Sequence, residues 1–328
     1  MKKIFYYYFL LSVIISSCGN METVIDLDIP PHEPVLILNG LLDTDTNVRV
    51  FVSHSVGAFS NDSLSYLEDA SVFLYRKNGN QFDLVEPLYI DSLNPIDISY
   101  QDDGWNSYYL SVFPYVSDYV PQKNSTYKIE VDHSDYPSVA AETYIPDDIL
   151  IYDIDVDTTL TDKVRLDFSF NDNPTQDNYY RLKIFASCTK EFDDYYGYED
   201  EWDYKMQVDF ASNDPSFPPT GIPFDGYSFE GNFVVFSDAL FNGQQKNISL
   251  DVYEGEYEYQ DCDTVIIEFS NFSDDTYSYY NSLGDHADKG ELGLFGGEVI
   301  PVYTNVENGL GVLISTNAQQ IYIRPVQP

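Results

Sequence analysis

Three features of the sequence predict a mainly β fold with two β domains, the first an immunoglobulin-like sandwich and the second β-rich with one short helix. Apolar residues recur at every second position in one segment after another, as in Val164, Leu166, Phe168 and Phe170. That spacing lays one face of a strand on a core. Turn chemistry separates the segments at short intervals, at Asn39-Gly40, Asn78-Gly79 and Asn308-Gly309, where glycine supplies positive φ. Tyrosine is abundant, with 30 Tyr beside 21 Phe and 2 Trp. A ring that packs while its hydroxyl stays wet suits a half-buried strand. The same excess has a second reading, a stacking surface for sugars or peptides.

The chain opens on Met1-Lys2-Lys3, an apolar run from Ile4 to Ile15, and then Ser16-Ser17-Cys18-Gly19. A short positive start, an apolar core and small residues at its end form a secretory signal. The run falls short of the roughly 20 apolar residues that span a bilayer. Ile15-Ser16-Ser17-Cys18 resembles the bacterial lipobox. The resemblance implies that residues 1–17 are removed as a signal peptide and that Cys18 is acylated as the first residue of the mature protein. The alternative is an ordinary secreted protein whose signal contains a cysteine. Residues 18–34 are then anchor and leader, with Val24 to Ile29 alternating as a candidate edge strand that Pro30, Pro31 and Pro34 end.

The mature chain of 311 residues has room for two ordinary domains. Its charge is extreme: −39 for the whole chain, and −41 once Lys2 and Lys3 are gone, with 14 basic against 55 acidic side chains. Such a field repels phosphate backbones, which excludes nucleic acid as a partner. It also opposes docking on an anionic bilayer, so the lipid on Cys18 would carry the attachment. Cys188 and Cys262 remain, outside the cytoplasm, where a disulfide persists. They are either bridged or two buried free thiols.

Residues 35–147 read as the N-terminal sandwich. Val35 to Leu38 is a continuous apolar run ended by Asn39-Gly40, and Val48, Val50 and Val52 alternate. Val72 and Leu74 lead to the Asn78-Gly79 turn, a strong hairpin signal. Tyr108, Leu110 and Val112 alternate, as do Tyr127, Ile129 and Val131, and a last strand ends near Pro146. Seven or so short strands in about 110 residues suit an immunoglobulin-like sandwich.

Residues 148–328 read as the second β domain. Ile149 to Val156 alternates without showing which face is buried. The strand at Val164 to Phe170 and the one at Tyr180 to Ala186 look like a hairpin around the turn-rich loop Asn171-Asp172-Asn173-Pro174. Residues 190–230 read as a long irregular segment, acidic and aromatic. Strands return at Phe233 to Phe236, Ile248 to Val252 and Val265 to Phe269. A helix is expected near 273–283, capped by Ser273 or Asp274 and ended by Gly284, with Tyr277 and Tyr280 on one face. Further strands are expected at Val299 to Tyr303, Leu310 to Ser315 and Ile321 to Ile323.

Several phrases then resemble one family in their order. They include Val35-Leu36-Ile37-Leu38-Asn39-Gly40, Phe170-Asn171-Asp172-Asn173-Pro174, Asn178-Tyr179-Tyr180-Arg181-Leu182, Phe236-Ser237-Asp238-Ala239-Leu240-Phe241-Asn242-Gly243 and Asn305-Val306-Glu307-Asn308-Gly309-Leu310-Gly311. Together they look like the Bacteroidota lipoprotein family known as the four-two-four-nine domain of unknown function. The resemblance implies an outer-membrane lipoprotein encoded beside a TonB-dependent β-barrel transporter, acting as its accessory in ligand capture or import. It carries no catalytic residues.

The chemistry follows from what the residues lack and where they cluster. His32, His54, His133 and His286 match no metal-binding spacing, and no nucleophile elbow or phosphate loop is present. The expectation is a protein without enzyme activity. A glycan hydrolase, which would need two carboxylates about 5–10 Å apart, is an alternative, and so is a surface adhesin or structural envelope protein. Calcium is the one ion considered, at Asp43-Thr44-Asp45 or at Asp172, Asn173 and Asp177; solvated turn carboxylates are the plainer account. The ligand site is placed in residues 192–204, where Tyr195, Tyr196, Tyr198 and Trp202 would stack on a glycan or pack on a peptide or partner barrel. The alternative is that these rings fill the sandwich core or a sheet face.

Overall fold

The computed structural model describes residues 32–57, 66–101, 107–160, 163–193, 199–220, 226–253, 262–290 and 301–324. The signal, Cys18 and the leader up to Pro31 lie outside them. The described chain is mainly β. Its first half supplies β1 (Leu36–Asp43), β2 (Arg49–His54), β3 (Ser71–Asn78), β4 (Gln81–Ile90), β5 (Ile96–Gln101), β6 (Ser107–Val112), β7 (Tyr115–Val116), β8 (Ser125–His133) and β9 (Tyr136–Ile145). Then come β10 (Ile151–Asp157), β11 (Lys163–Asn171), β12 (Tyr179–Asp193), β13 (Glu199–Val208), β14 (Phe210–Ser212), β15 (Phe229–Gly231) and β16 (Phe233–Ser237). The remainder is β17 (Gln245–Tyr253), β18 (Cys262–Phe272), α1 (Asp274–Gly290), β19 (Val306–Glu307) and β20 (Leu310–Ile323).

One long sheet runs β13-β12-β18-β20-β1-β2-β7-β4-β3-β8-β9-β19, with β16 also paired to β12. Its β1-to-β19 part folds over a first core. The alternating residues named from sequence point into it: Val48, Val50 and Val52, then Tyr127, Ile129 and Val131, are all at most 1% exposed. Each such buried side chain contributes roughly 1.5–3 kcal/mol of hydrophobic stabilisation. The β5–β6 hairpin is separate. A second core lies between β12, β18 and their neighbours on one side and the five-stranded sheet β10-β11-β17-β14-β15 on the other. It is a stack of rings, with Phe170 against Tyr180 at 5.1 Å between centroids and against Phe269 at 4.9 Å.

β20 joins the two cores. Leu310 to Thr316 pairs parallel with β1, and Thr316 to Ile323 pairs antiparallel with β18. Val306 and Leu313 thereby enter the first core from the C-terminal part of the chain. The middle of β20 is welded by buried hydroxyls: Thr276 Oγ1 donates to the Ser315 carbonyl at 2.7 Å, and Ser315 Oγ donates to the Tyr144 carbonyl at 2.6 Å.

Several local expectations change. β11 and β12 are not a hairpin; they belong to different sheets and face each other across the core. A period of two marks the buried face of each strand but not whether neighbours pair edge to edge or pack face to face. Asn39-Gly40 is no turn but the middle of β1, where a Cβ on Gly40 would sit 2.7 Å from Val50 Cγ1. The described residues among 190–230 are largely strand rather than irregular, Pro301 to Asn305 is not a strand, and the two expected C-terminal strands are one, β20. α1 does begin after Ser273, whose Oγ accepts the Thr276 N–H at 3.2 Å, but it runs through Gly284 to Gly290. Tyr277 stacks on Tyr179 at 4.2 Å and Tyr280 on Phe272 at 5.7 Å. No described helix is long and apolar enough to cross a membrane.

Candidate functional site

β12 is fifteen residues long, and its pairing with β18 ends at Cys188 opposite Cys262. Beyond that point, among the described residues, it pairs only with β13, from Thr189 opposite Asp203 to Asp193 opposite Glu199. Among the described residues the β12–β13 hairpin therefore continues as an arm beyond β18. Cys188 and Cys262 form a disulfide where the arm departs, and Cys188 is 1% exposed. The bridge ties the base of the arm to the sheet. Of the residues selected from sequence, Trp202 lies on the arm with its backbone opposite Lys190. Tyr195, Tyr196 and Tyr198 fall in the connection 194–198, outside the described residues.

The outward face of β12, β18 and β13 beside the arm gathers cations. Arg181, Lys183 and Lys205 surround the Glu268 carboxylate at 3.8, 3.6 and 3.9 Å. Lys205 also sits over the Phe185 ring at 3.9 Å. Burial, and then the neighbouring Arg181, pull the Lys183 ammonium below the usual lysine range. Three cations gather here on a chain of net charge −39, balanced by Glu268 and by Asp43, which lies within electrostatic reach of Arg181 and Glu268. No spacing in the sequence marks this cluster, because Arg181, Lys183 and Glu268 become neighbours only when β12 pairs with β18.

A polar cleft of about 350 Å³ lies on the outer face of the five-stranded sheet, lined in part by Arg165, Asn213, Asp214, Tyr227 and Asp251. Asp251, 3% exposed, accepts from Arg165 Nε at 2.8 Å, from Lys163 Nζ at 2.7 Å and from the Tyr227 hydroxyl. Burial alone would raise its pKa, but the hydrogen bonds from Arg165, Lys163 and Tyr227 outweigh it and hold the carboxyl well below the usual range. Asp251→Ala is expected to cost about 2–3 kcal/mol at neutral pH, below the roughly 3–5 kcal/mol of a fully buried broken pair. Lys163 and Arg165 are 28% and 43% exposed and can rehydrate. The native pKa lies below the unfolded value, so this stabilisation is complete above about pH 4 and fades as pH falls through the native pKa. Urea unfolding of both proteins at pH 7 and pH 3 should show the gap narrowing in acid; a gap independent of pH would contradict it.

Asp172, Asn173 and Asp43, three of the calcium candidates, make local hydrogen bonds. Asp172 accepts from the Tyr180 hydroxyl and, at 2.7 Å, from the Gly243 N–H; Asn173 Oδ1 accepts from the Thr175 N–H at 3.1 Å. Asp43 Oδ1 accepts the Asp45 N–H at 2.9 Å, an ordinary turn contact. Among the described residues no three His, Cys, Asp or Glu side chains are placed to share an ion.

The fold and this site define a β-rich protein with two cores joined by one C-terminal strand and a disulfide-clamped arm. The family described as "Domain of unknown function (DUF4249)" matches residues 22–321, and the chain belongs to that family. No curated protein matches the sequence significantly. Among solved structures, the B domain of a biofilm-associated protein aligns over 87% of this chain and 85% of its own, at 7% identity and a TM-score of 0.17. A likeness that low carries no argument about function.

Proposed function

We propose that the protein is a lipid-anchored outer-membrane protein, held through Cys18 and facing the exterior, that captures a ligand as the non-catalytic partner of a TonB-dependent β-barrel transporter. The observation that supports this reading is the disulfide-clamped arm. Lys190 to Tyr204 carries seven carboxylates and six aromatic rings. An acidic, aromatic projection on a rigid base suits docking on a basic, partly apolar surface: the charge steers the encounter and the rings anchor it. Holding the base by a covalent bond lowers the ordering cost of that contact.

The test is extraction of the tagged native protein in mild detergent. A β-barrel transporter is expected to co-purify. The double variant Tyr196→Ala, Trp202→Ala should lower its recovery by about tenfold, as for truncated aromatic anchors, with an unchanged melting temperature. Cys18→Ala should move the protein from the membrane to the soluble fraction. Recovery of the wild-type protein alone would instead favour an adhesin or structural envelope role.

A further inference from the structure

A second polar cleft, of about 330 Å³, opens where the two cores meet. Asp147 to Ile149 form one wall, and the connection that carries them is pinned to the strands beneath. Asn317 Nδ2 donates to the Pro146 carbonyl and to the Asp148 carboxylate, both at 3.1 Å, and Asn271 Nδ2 donates to the Asp147 carbonyl at 3.3 Å. The deeper lining is buried Asp172, Asn178, Tyr180 and Asn271, and the rim carries exposed Asn124, Asn171 and Asn173.

The carboxylates of this cleft are already satisfied. Asp172 is held by Tyr180 and Gly243, and Asp148 by Lys123 and Asn317. What remains unmet is amide chemistry. Asn271 is 6% exposed, and its Oδ1 is buried with no hydrogen-bond partner. On the rim, Asn124 Oδ1 accepts the Tyr144 hydroxyl at 2.8 Å and Asn171 Oδ1 accepts the Tyr152 hydroxyl at 2.9 Å. Those bonds fix the two amide planes and leave each Nδ2 without a partner among the described residues. A buried acceptor left unpaired is rare in folded proteins and calls for a donor.

We propose that this cleft binds one ring of a neutral sugar, with a hydroxyl donating to Asn271 Oδ1 and others accepting from the rim amides. A hydroxyl both donates and accepts, so one polyhydroxylated ring matches a buried acceptor and nearby donors together. A cation would meet the acceptor and leave the donors unmet. An anion would face Asp147, Asp148 and Asp172 on a chain of −39. A peptide side chain finds one aliphatic residue in the lining, Ile149. The volume suits a single ring, and a junction between cores is a common place for a ligand site. The proposal deepens the capture reading and rests on it for its role.

The test applies the detergent-solubilised full chain to an array of neutral and acidic oligosaccharides and measures the retained sugar by calorimetry. A neutral sugar is expected to bind. Asn124→Gly, which keeps the positive φ of that position, and Asn171→Ala, both on the exposed rim, should each weaken it about tenfold with little change in the melting temperature. Asn271→Leu should abolish binding. Absence of neutral-sugar binding, binding of acidic sugars or peptides alone, or unchanged affinity in both rim variants would overturn the proposal. Transporter co-purification does not involve this cleft, so its persistence without sugar binding would remove the sugar and leave the partnership standing.

Discussion

Replacing Cys188 and Cys262 together by alanine is expected to lower the unfolding free energy by about 4 kcal/mol. The bridge spans a sequence separation of 74 residues, and a cross-link that closes so long a loop removes much of the entropy of the unfolded chain. The two cysteines are already opposite each other on paired strands, so little native structure should move when the bond goes. Urea unfolding of the oxidised protein and the double variant provides the measurement. The midpoint should fall, and the slope should stay or steepen as the unfolded chain opens. A loss under about 1 kcal/mol would mean that the unfolded state is compact without the bridge. A second readout is local: amide exchange at Thr189 and Asp203 should quicken, because the arm loses its covalent base.

Gly311→Ala is expected to cost at least about 3 kcal/mol, and it tests how the cores are joined. Gly311 has φ +99°, and a Cβ there would lie 2.2 Å from the Leu38 carbonyl oxygen. The backbone strain alone is worth about 1–3 kcal/mol. The clash adds to it, because the obstructing atom is backbone of β1 and cannot swing aside. Relief requires β20 to draw away from β1, which would loosen the parallel register from Ile37–Leu310 to Asp43–Thr316. Thermal unfolding should show a large fall in midpoint. Gly79→Ala, at φ +61° in the β3–β4 turn with open space around it, is the control: it carries strain without collision and should lose about 1 kcal/mol. Equal losses in the two variants would show that the approach of β20 to β1 is not tight.

Local pattern made much of this legible. Phe168 and Phe170, Tyr127 and Ile129, and the Ser273 cap all lie where alternation and capping chemistry place them. Asn308-Gly309 carries a turn signature and Gly311 lies in an expected strand, yet both glycines serve contact with β1, a strand some 270 positions earlier. The arm was read as irregular because Asp and Glu are poor strand formers; cross-strand pairing of β12 with β13 overrides that preference. The Asp251 and Glu268 ion clusters and the unpaired Oδ1 of Asn271 have no signal in sequence, since the groups around them lie tens of residues away.

The sequence by itself determined the β class, the alternating core positions, the helix start and the extreme negative charge. Each is a property of residues within a few positions of one another or of the whole composition. Tertiary structure alone decided that β11 and β12 pack face to face, that β20 completes both cores, and that the disulfide clamps an arm. It also decided that Asp147 to Ile149 wall a polar cleft. These depend on which distant strands pair, and a period of two records the face of a strand but never its neighbour.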